Sequence, residues 1–274
     1  MELTTTVARA RALFAALPRP LGFVPTMGAL HDGHLELVRR ARTRCAGVCA
    51  SIFVNPLQFG PHEDFTTYPR DPQRDCEKLA AAGADALFAP DAAAMYPPGF
   101  TAHVDVGSAA AGFEGALRPG HFRGVATVIA KLLNIVRPDV LFLGQKDAQQ
   151  AIVLRKMIGD LDFDVETEIV PTVRERDGLA MSSRNAYLDS AQRARAPTLY
   201  RALLATREAL ERGGTKNAAI EAGSAALSST AKLDYLDVVD AASFEPIETL
   251  RPPAFIIGAA RFGAVRLIDN LWIT

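Results

Sequence analysis

Cysteine is scarce in this chain: Cys45, Cys49 and Cys76 are the only three in 274 residues. An odd number excludes a closed disulfide framework, and their spacing is not that of a metal-binding knuckle. A reducing compartment fits such usage, so a cytoplasmic protein is expected. Excess charge of one sign is also missing. A net charge of −1 leaves no whole-chain electrostatic footprint for nucleic acid, although local basic patches stay open. No apolar run approaches the ~18 residues that would suggest a membrane span. The opening Met1-Glu2-Leu3-Thr4-Thr5-Thr6 lacks a basic stretch followed by an apolar core, so no targeting leader is expected either. Internal repeats and low-complexity segments are absent too. What remains is 49% hydrophobic and 22% charged, the balance of a soluble globular protein with a sizeable core. The length suits one large domain and one small one.

The chain is organised around Leu21 to His34. The apolar Leu21-Gly22-Phe23-Val24 leads into Pro25-Thr26-Met27-Gly28-Ala29-Leu30-His31-Asp32-Gly33-His34, and helical spacing of apolar residues follows from Leu35 to Ala41. A strand, a loop and a helix start are predicted. Such a junction aims backbone N–H groups and the positive end of a helix dipole at one spot, which suits a phosphate. Gly33 lets backbone and ligand approach closely between His31 and His34. A solvated turn holding two histidines is the alternative. No cluster of Cys, His or carboxylate lies nearby to complete a zinc shell, and metal ligands are left unassigned.

Further along, Thr4 to Leu17 reads as a capped helix ended by Pro18, and Gly47 to Val54 as a central parallel strand. Asn55 and Gln58 follow at that strand's carboxyl end, where open α/β sheets bind ligands; turn chemistry is the competing reading. Tyr68 sits in the loop beyond. Another strand is predicted at Asp85 to Pro90 and one at His103-Val104-Asp105-Val106. Glu114, Arg118, His121 and Arg123 then form either a cover for a site or a charged surface excursion. After a helix over Val125 to Val136 and a strand over Val140 to Leu143, Gly144-Gln145-Lys146-Asp147 opens a second glycine turn into a helix carrying Gln150. Lys146 can reach a phosphate there or simply be solvated, and Asp147 can cap the helix or take a nucleotide hydroxyl or a magnesium water. A strand over Val165 to Val170 precedes the loop Pro171 to Asn185. In it Ser182, Ser183 and Arg184 offer hydroxyls and a cationic fork suited to phosphate oxygens, or else a helix cap and a surface arginine. Helices over Ser190 to Arg212 and Thr215 to Leu227, then three strands, suggest a small α+β domain.

Four stretches stand in register: Pro25 to His34, Ser51 to Phe59, Phe142 to Asp147, and Asp177 to Asn185, with Arg266-Leu267-Ile268-Asp269-Asn270 near the end. Together they closely resemble the pantothenate synthetase family. The resemblance implies an α/β architecture: a Rossmann-like nucleotidyl-transferase domain with a parallel sheet over 1–174, and a smaller C-terminal α+β lid domain over 175–274. It implies a cytoplasmic homodimer that uses ATP with Mg2+ to join pantoate and β-alanine through a pantoyl adenylate. It implies no nucleic-acid or membrane partner.

By the same resemblance, Met27, Gly28, Ala29, Leu30, His31, Asp32, Gly33 and His34 line the ATP site, with His34 as proton donor and His31 beside it on the phosphates. Gly144, Gln145, Lys146, Asp147 and Val173 embrace the adenosine end, and Lys146 is also directed at the phosphates. Met181, Ser182, Ser183 and Arg184 close the triphosphate pocket. His34, His31, Lys146 and Arg184 carry the catalytic roles. Gln58 and Gln150 hold pantoate, with Asn55, Tyr68 and His121 as weaker additions to the substrate site. Two departures stand out: Gln145 occupies a position usually held by Glu, and Ala148 one where an aromatic is common. Rival readings are another nucleotidyl-transferase, disfavoured by neutral amides where a phosphate would call for cations, and a non-catalytic ATP sensor.

Overall fold

The apolar runs that lack polar alternation form one sheet. In the computed structural model, which describes residues 1–61, 63–227 and 230–274, six strands lie parallel. They are β1 (Glu2–Thr4), β2 (Leu21–Thr26), β3 (Gly47–Ile52), β4 (Ala86–Phe88), β5 (Val140–Gly144) and β6 (Glu166–Val170), in the order β1-β4-β3-β2-β5-β6. The order runs one way from β2 through β3 to β4 and resumes on the other side of β2 with β5, so β2 borders a topological switch point, the usual ligand crevice of such sheets. Register aligns Leu21 with Gly47 and Thr26 with Ile52. The segments leaving β2 and β3 therefore emerge side by side.

Helices α1 (Val7–Ala15), α2 (Asp32–Arg44), α3 (Pro72–Ala82) and α4 (His121–Val136) accompany the sheet. Leu37, Val38 and Ala41 of α2 and Leu79 of α3 pack with Val24, Val48, Ala50 and Phe142 of the strands. Burial of such side chains contributes roughly 1.5–3 kcal/mol each and fixes how α2 leaves β2. No helix among the described residues is long and apolar enough to cross a membrane.

Three local expectations are corrected. The helix read over Thr4 to Leu17 is shorter, Val7–Ala15, because Thr4 ends β1, paired with Phe88 at the sheet edge; Thr6 is the residue that caps α1, accepting from the Arg9 N–H. His103 to Val106 is not a strand, since the Val104 N–H donates to Thr127 Oγ1 at 3.0 Å instead of entering a ladder. The helix read over Ser190 to Arg212 is two, α6 (Ser190–Arg195) and α7 (Thr198–Glu211), broken at Pro197, which has no N–H to continue the first. Numbering leaves α5 for Ala148–Asp160.

The C-terminal strands β7 (Lys232–Asp240), β8 (Ala254–Phe262) and β9 (Val265–Ile273) form an antiparallel sheet in that order, with α7 and α8 (Lys216–Leu227) supplying its cover. Leu199 and Ala202 of α7 and Leu227 of α8 pack with Ala260, Phe262 and Leu267 of this sheet. This is the α+β unit expected from helices followed by strands.

The boundary falls elsewhere than at 174/175. One compact unit comprises Met1–Gly144 with Val153–Val170, the other Gln145–Ile152 with Pro171–Thr274. Side-chain bonds explain the reassignment: Asn270 Nδ2 donates to the carbonyls of Gln145 and Lys146 at 2.8 and 3.0 Å, and Arg174 grips Asp269. Both stretches are thus tied to β9.

Candidate active site

In the first unit the loop after β2 is held from below by a buried carboxylate. Gly28 has φ +85° and Ala29 φ +50°, so two successive residues lie in the left-handed region. Such a turn directs its N–H groups inward, and Asp75, in the first turn of α3, accepts two of them: Ala29 N–H at 2.8 Å and Leu30 N–H at 2.9 Å. Lys78, one turn along α3, donates to the Leu30 carbonyl. Asp75 itself is only 2% exposed. A side chain at 28 would meet Asp75 Oδ2 at 3.0 Å as well as needing an unfavourable φ, which is why glycine stands there.

His31 then caps α2, and the rings of His31 and His34 lie 4.1 Å apart at 37°. The His31 backbone N–H donates to His34 Nδ1 at 3.4 Å. An N–H only donates, so Nδ1 is an acceptor here and the proton of a neutral ring resides on Nε2. The first backbone N–H groups of α2 have no carbonyl partner within the helix, as at any helix start. One imidazole N–H and a helix N-terminus thus occupy the same corner.

Replacing Asp75 by Asn is expected to turn one of the two acceptors into a donor facing an N–H, costing about 1–3 kcal/mol of stability. Urea unfolding of the variant beside the parent chain checks this.

Asn55 and Gln58 lie on a single 3-10 turn, Pro56–Gln58, and their amides form a chain of fixed polarity. Leu57 N–H donates to Asn55 Oδ1 at 3.2 Å, and Tyr96 O–H donates to the same oxygen at 2.8 Å. Asn55 Nδ2 is left to donate to the Gly124 carbonyl at 3.1 Å and to Gln58 Oε1 at 3.0 Å. Gln58 therefore presents Nε2, whose neighbour is the weak acceptor Met27 Sδ at 3.0 Å. Asn55 is 1% exposed and both its amide atoms are committed, so it orients Gln58 rather than offering a free group of its own. Burial pushes the Tyr96 phenol well up, keeping it a neutral donor.

His121, at the start of α4, is buried with both ring nitrogens engaged: Nδ1 lies 2.9 Å from the Gln58 carbonyl and Nε2 3.0 Å from Arg118 Nη1. Arg118 in turn grips Glu63 with two bonds of 2.6 and 2.7 Å. Burial first, and the Arg118 charge second, push His121 down from 6.5 to about 4. Burial raises the Glu63 carboxyl, and Arg118 more than offsets it, leaving Glu63 below its ordinary value. Of the four residues read as a cover or surface excursion, Glu114 is buried too, and Arg123 stays exposed with Asp105 at 3.8 Å. Tyr68 is buried, with its ring edge-on to Phe59 at 6.0 Å.

The His121 shift has a measurable sign. Between pH 6.5 and about 4 the unfolded chain binds a proton that the folded chain does not, so this contribution is whole above 6.5 and is lost as pH falls through the window. It amounts to about 3 kcal/mol by linkage. Glu63 adds loss of the same sign, beginning only below its ordinary 4.5. Urea midpoints measured against pH should fall less steeply between 6.5 and 4.5 for His121→Asn than for the parent chain.

In the second unit, Gln145–Asp147 form a 3-10 turn whose carbonyls are held by Asn270, and Gln145 Nε2 donates back to Asn270 Oδ1 at 3.1 Å. Gln145 is thus a neutral partner to a neutral amide. Ala148 is buried, and Gln150 is half-buried one turn past Lys146. The Pro171 to Asn185 loop folds back on itself: Arg174 bridges Ala180, and Met181 N–H donates to the Val173 carbonyl at 3.0 Å. Arg174 fixes this hairpin through Asp269, at 2.6 and 3.0 Å, and the Gly178 carbonyl, while lying 3.8 Å over the Tyr200 ring. Ser182 Oγ accepts from the Arg184 N–H at 3.3 Å. Lys146, Ala180, Ser182, Asn185 and Asp269 line one small cavity, so two stretches read as phosphate-binding, far apart along the chain, do meet. Lys146 Nζ is 3.6 Å from Asp147 Oδ1.

Among the described residues no group of three or more His, Cys, Asp or Glu side chains gathers to hold a metal ion. Asp75, Gly124, Glu63 and Arg174 carry weight that the sequence did not flag. Asp75 could be read only as an acidic residue in a first helical turn.

A sequence model of the pantoate-beta-alanine ligase family matches residues 2–272. The chain belongs to this family. The pantothenate synthetase of Acidiphilium cryptum is 51% identical over 276 residues, with 99% of each chain covered. A crystal structure of pantothenate synthetase from Thermus thermophilus superimposes with a TM-score of 0.95 at 52% identity, covering 99% of both chains. The pantoate-beta-alanine ligase of Francisella tularensis, complexed with beta-gamma ATP and beta-alanine, gives a TM-score of 0.83 at 34% identity, covering 99% of this chain and 97% of that one. The pantoate-beta-alanine ligase reaction, ATP-dependent joining of pantoate to β-alanine by a C–N bond, is the reaction of this chain.

Proposed function

We propose that the reaction runs through a pantoyl adenylate. A pantoate carboxylate oxygen attacks the α-phosphorus of ATP, the bond from that phosphorus to the bridging oxygen breaks, and pyrophosphate leaves with the electron pair. The β-alanine amine then attacks the acyl carbon, AMP leaves, and the amine gives up a proton. The observation that carries this reading is the His31–His34 pair at the start of α2, with His34 Nδ1 accepting from a backbone N–H so that the ring's proton sits on Nε2. Charge grows on the phosphoryl oxygens in the first step, and fixed donors there stabilise it without rearranging.

Met27 to His34 serve the triphosphate in this scheme. Gly144, Gln145, Lys146, Asp147 and Val173 serve the adenosine end, with Lys146 also on the phosphates. Met181, Ser182, Ser183 and Arg184 are assigned to the phosphates as well, by the family resemblance. Gln58 and Gln150 take pantoate, Gln58 through the amide N–H left over once Asn55 has engaged its oxygen, a group whose neighbour is the weak acceptor Met27 Sδ. Tyr68 borders that pocket. Magnesium is assigned to the nucleotide as part of the substrate, by the family resemblance, and no step is routed through it. A homodimer in the cytoplasm completes the proposal, on the strength of the family resemblance and the reduced cysteine complement.

Omitting each substrate in turn tests the scheme. Without β-alanine, one enzyme equivalent of adenylate and pyrophosphate should form and stop; without pantoate, neither should. AMP release that ignores pantoate would overturn it.

A further inference from the structure

We propose that His121 is a positioning residue for pantoate: it touches the Gln58 backbone rather than the substrate, and with Arg118 and Glu63 it sets where the Gln58 amide stands. The proposal rests on the reading of Gln58 as a pantoate ligand. Three observations support it, all within the first unit. The Gln58 carbonyl accepts from His121 Nδ1 at 2.9 Å and from Arg118 Nη2 at 3.4 Å, so the turn is held at the residue whose side chain matters. Polarity leaves one tautomer. A carbonyl only accepts and a guanidinium only donates, so Nδ1 carries the proton and Nε2 accepts from Arg118. Finally, Arg118 has no latitude, because Glu63 takes its Nε and Nη2 in a two-point grip.

His121 and Gly124 are three residues apart on α4 and so share a face. That face both receives the turn and fixes it, Gly124 by its missing side chain and its carbonyl, His121 by its N–H. A histidine suits the post because it donates to one neighbour while accepting from another. With Nε2 already filled and the ring buried, neither nitrogen remains for a substrate. Amide geometry at the reacting end of a carboxylate is sensitive to small displacements, so loss of this seat registers in substrate binding.

The test compares His121→Ala, His121→Asn and Gln58→Ala in the full chain, with the double variant of His121→Ala and Gln58→Ala. For His121→Ala, the KM for pantoate should rise by about tenfold or more with the KM for ATP nearly unchanged. Asn at 121 keeps an N–H near the position of Nδ1 and should recover much of that rise. In the Gln58→Ala background, removing His121 should add little, since there is no amide left to place. Equal rises in both KM values, or full additivity in the double variant, would overturn the positioning role. If Gln58→Ala leaves the pantoate KM unaltered, it is the ligand assignment of Gln58 that fails. Should His121→Ala not fold, Arg118→Lys, which keeps the cation and loses the two-point grip, is expected to give the same selective rise, and an unselective effect counts against the proposal.

Discussion

His34→Ala is expected to reduce adenylate formation by about two to three orders of magnitude, the usual effect of deleting one preorganised donor to a developing oxyanion. The fold does not hang on this ring: its bond to the His31 N–H is a long one, 3.4 Å, and α2 is anchored by Leu37, Val38 and Ala41 in the core. A single long, part-buried bond is lost at His31, so stability should change by about 1 kcal/mol. Single-turnover measurement of adenylate in the absence of β-alanine reads the chemical step directly. An unchanged burst would remove His34 from the reaction. His34→Gln makes a useful companion, because its amide N–H reaches about as far as Nε2 and should restore part of the rate.

Gly124→Ala carries the second large effect. A Cβ at this position would sit 2.1 Å from the Leu57 carbonyl oxygen, 2.4 Å from its carbon and 2.7 Å from the Gln58 nitrogen. All three are main-chain atoms, which cannot step aside as a side-chain tip does. Either the 3-10 turn lifts off α4 or the helix recedes, and both break the bond from Asn55 Nδ2 to the Gly124 carbonyl. Overpacking of this kind costs about 1–3 kcal/mol. The functional cost should be larger: pantoate KM raised at least about tenfold, and kcat over KM for pantoate reduced by about a hundredfold, since Gln58 loses both its place and its amide orientation. ATP binding measured alone should shift far less. If pantoate kinetics are untouched in a folded Gly124→Ala protein, the seat described for Gln58 does not matter to the reaction.

These two residues also mark how far a sequence can be read. His34 was legible because everything that makes it interesting is local: a strand, a left-handed turn, a helix start and a second histidine within one short stretch. The same holds for Gln58, which follows β3 directly, and for Lys146 and Ser182, each on a turn with its own signature. Gly124 was invisible, being one small residue in an apolar helix whose reason is the close approach of Leu57 and Gln58, far upstream in the chain. Asp75 is separated by 46 positions from the Ala29 N–H it accepts, and Glu63 by 55 from Arg118. Long-range polar pairs leave no periodic trace. His103 to Val106 shows the converse: the alternation was strand-like, yet a ladder needs a neighbour, and Thr127 took the amide instead. The small domain was foreseen as a class, while its borrowing of Gln145–Ile152 was not, because that depends on which carbonyls Asn270 reaches.

That borrowing has a consequence for anyone who would cut or graft the protein. Because the second unit is assembled from two separate lengths of polypeptide, no single crossover point delivers it whole. A truncation after Val170 would strip the carbonyls of Gln145 and Lys146 of their amide partner, so a chimaera inheriting the C-terminal sheet from a relative must inherit that relative's 145–152 segment with it.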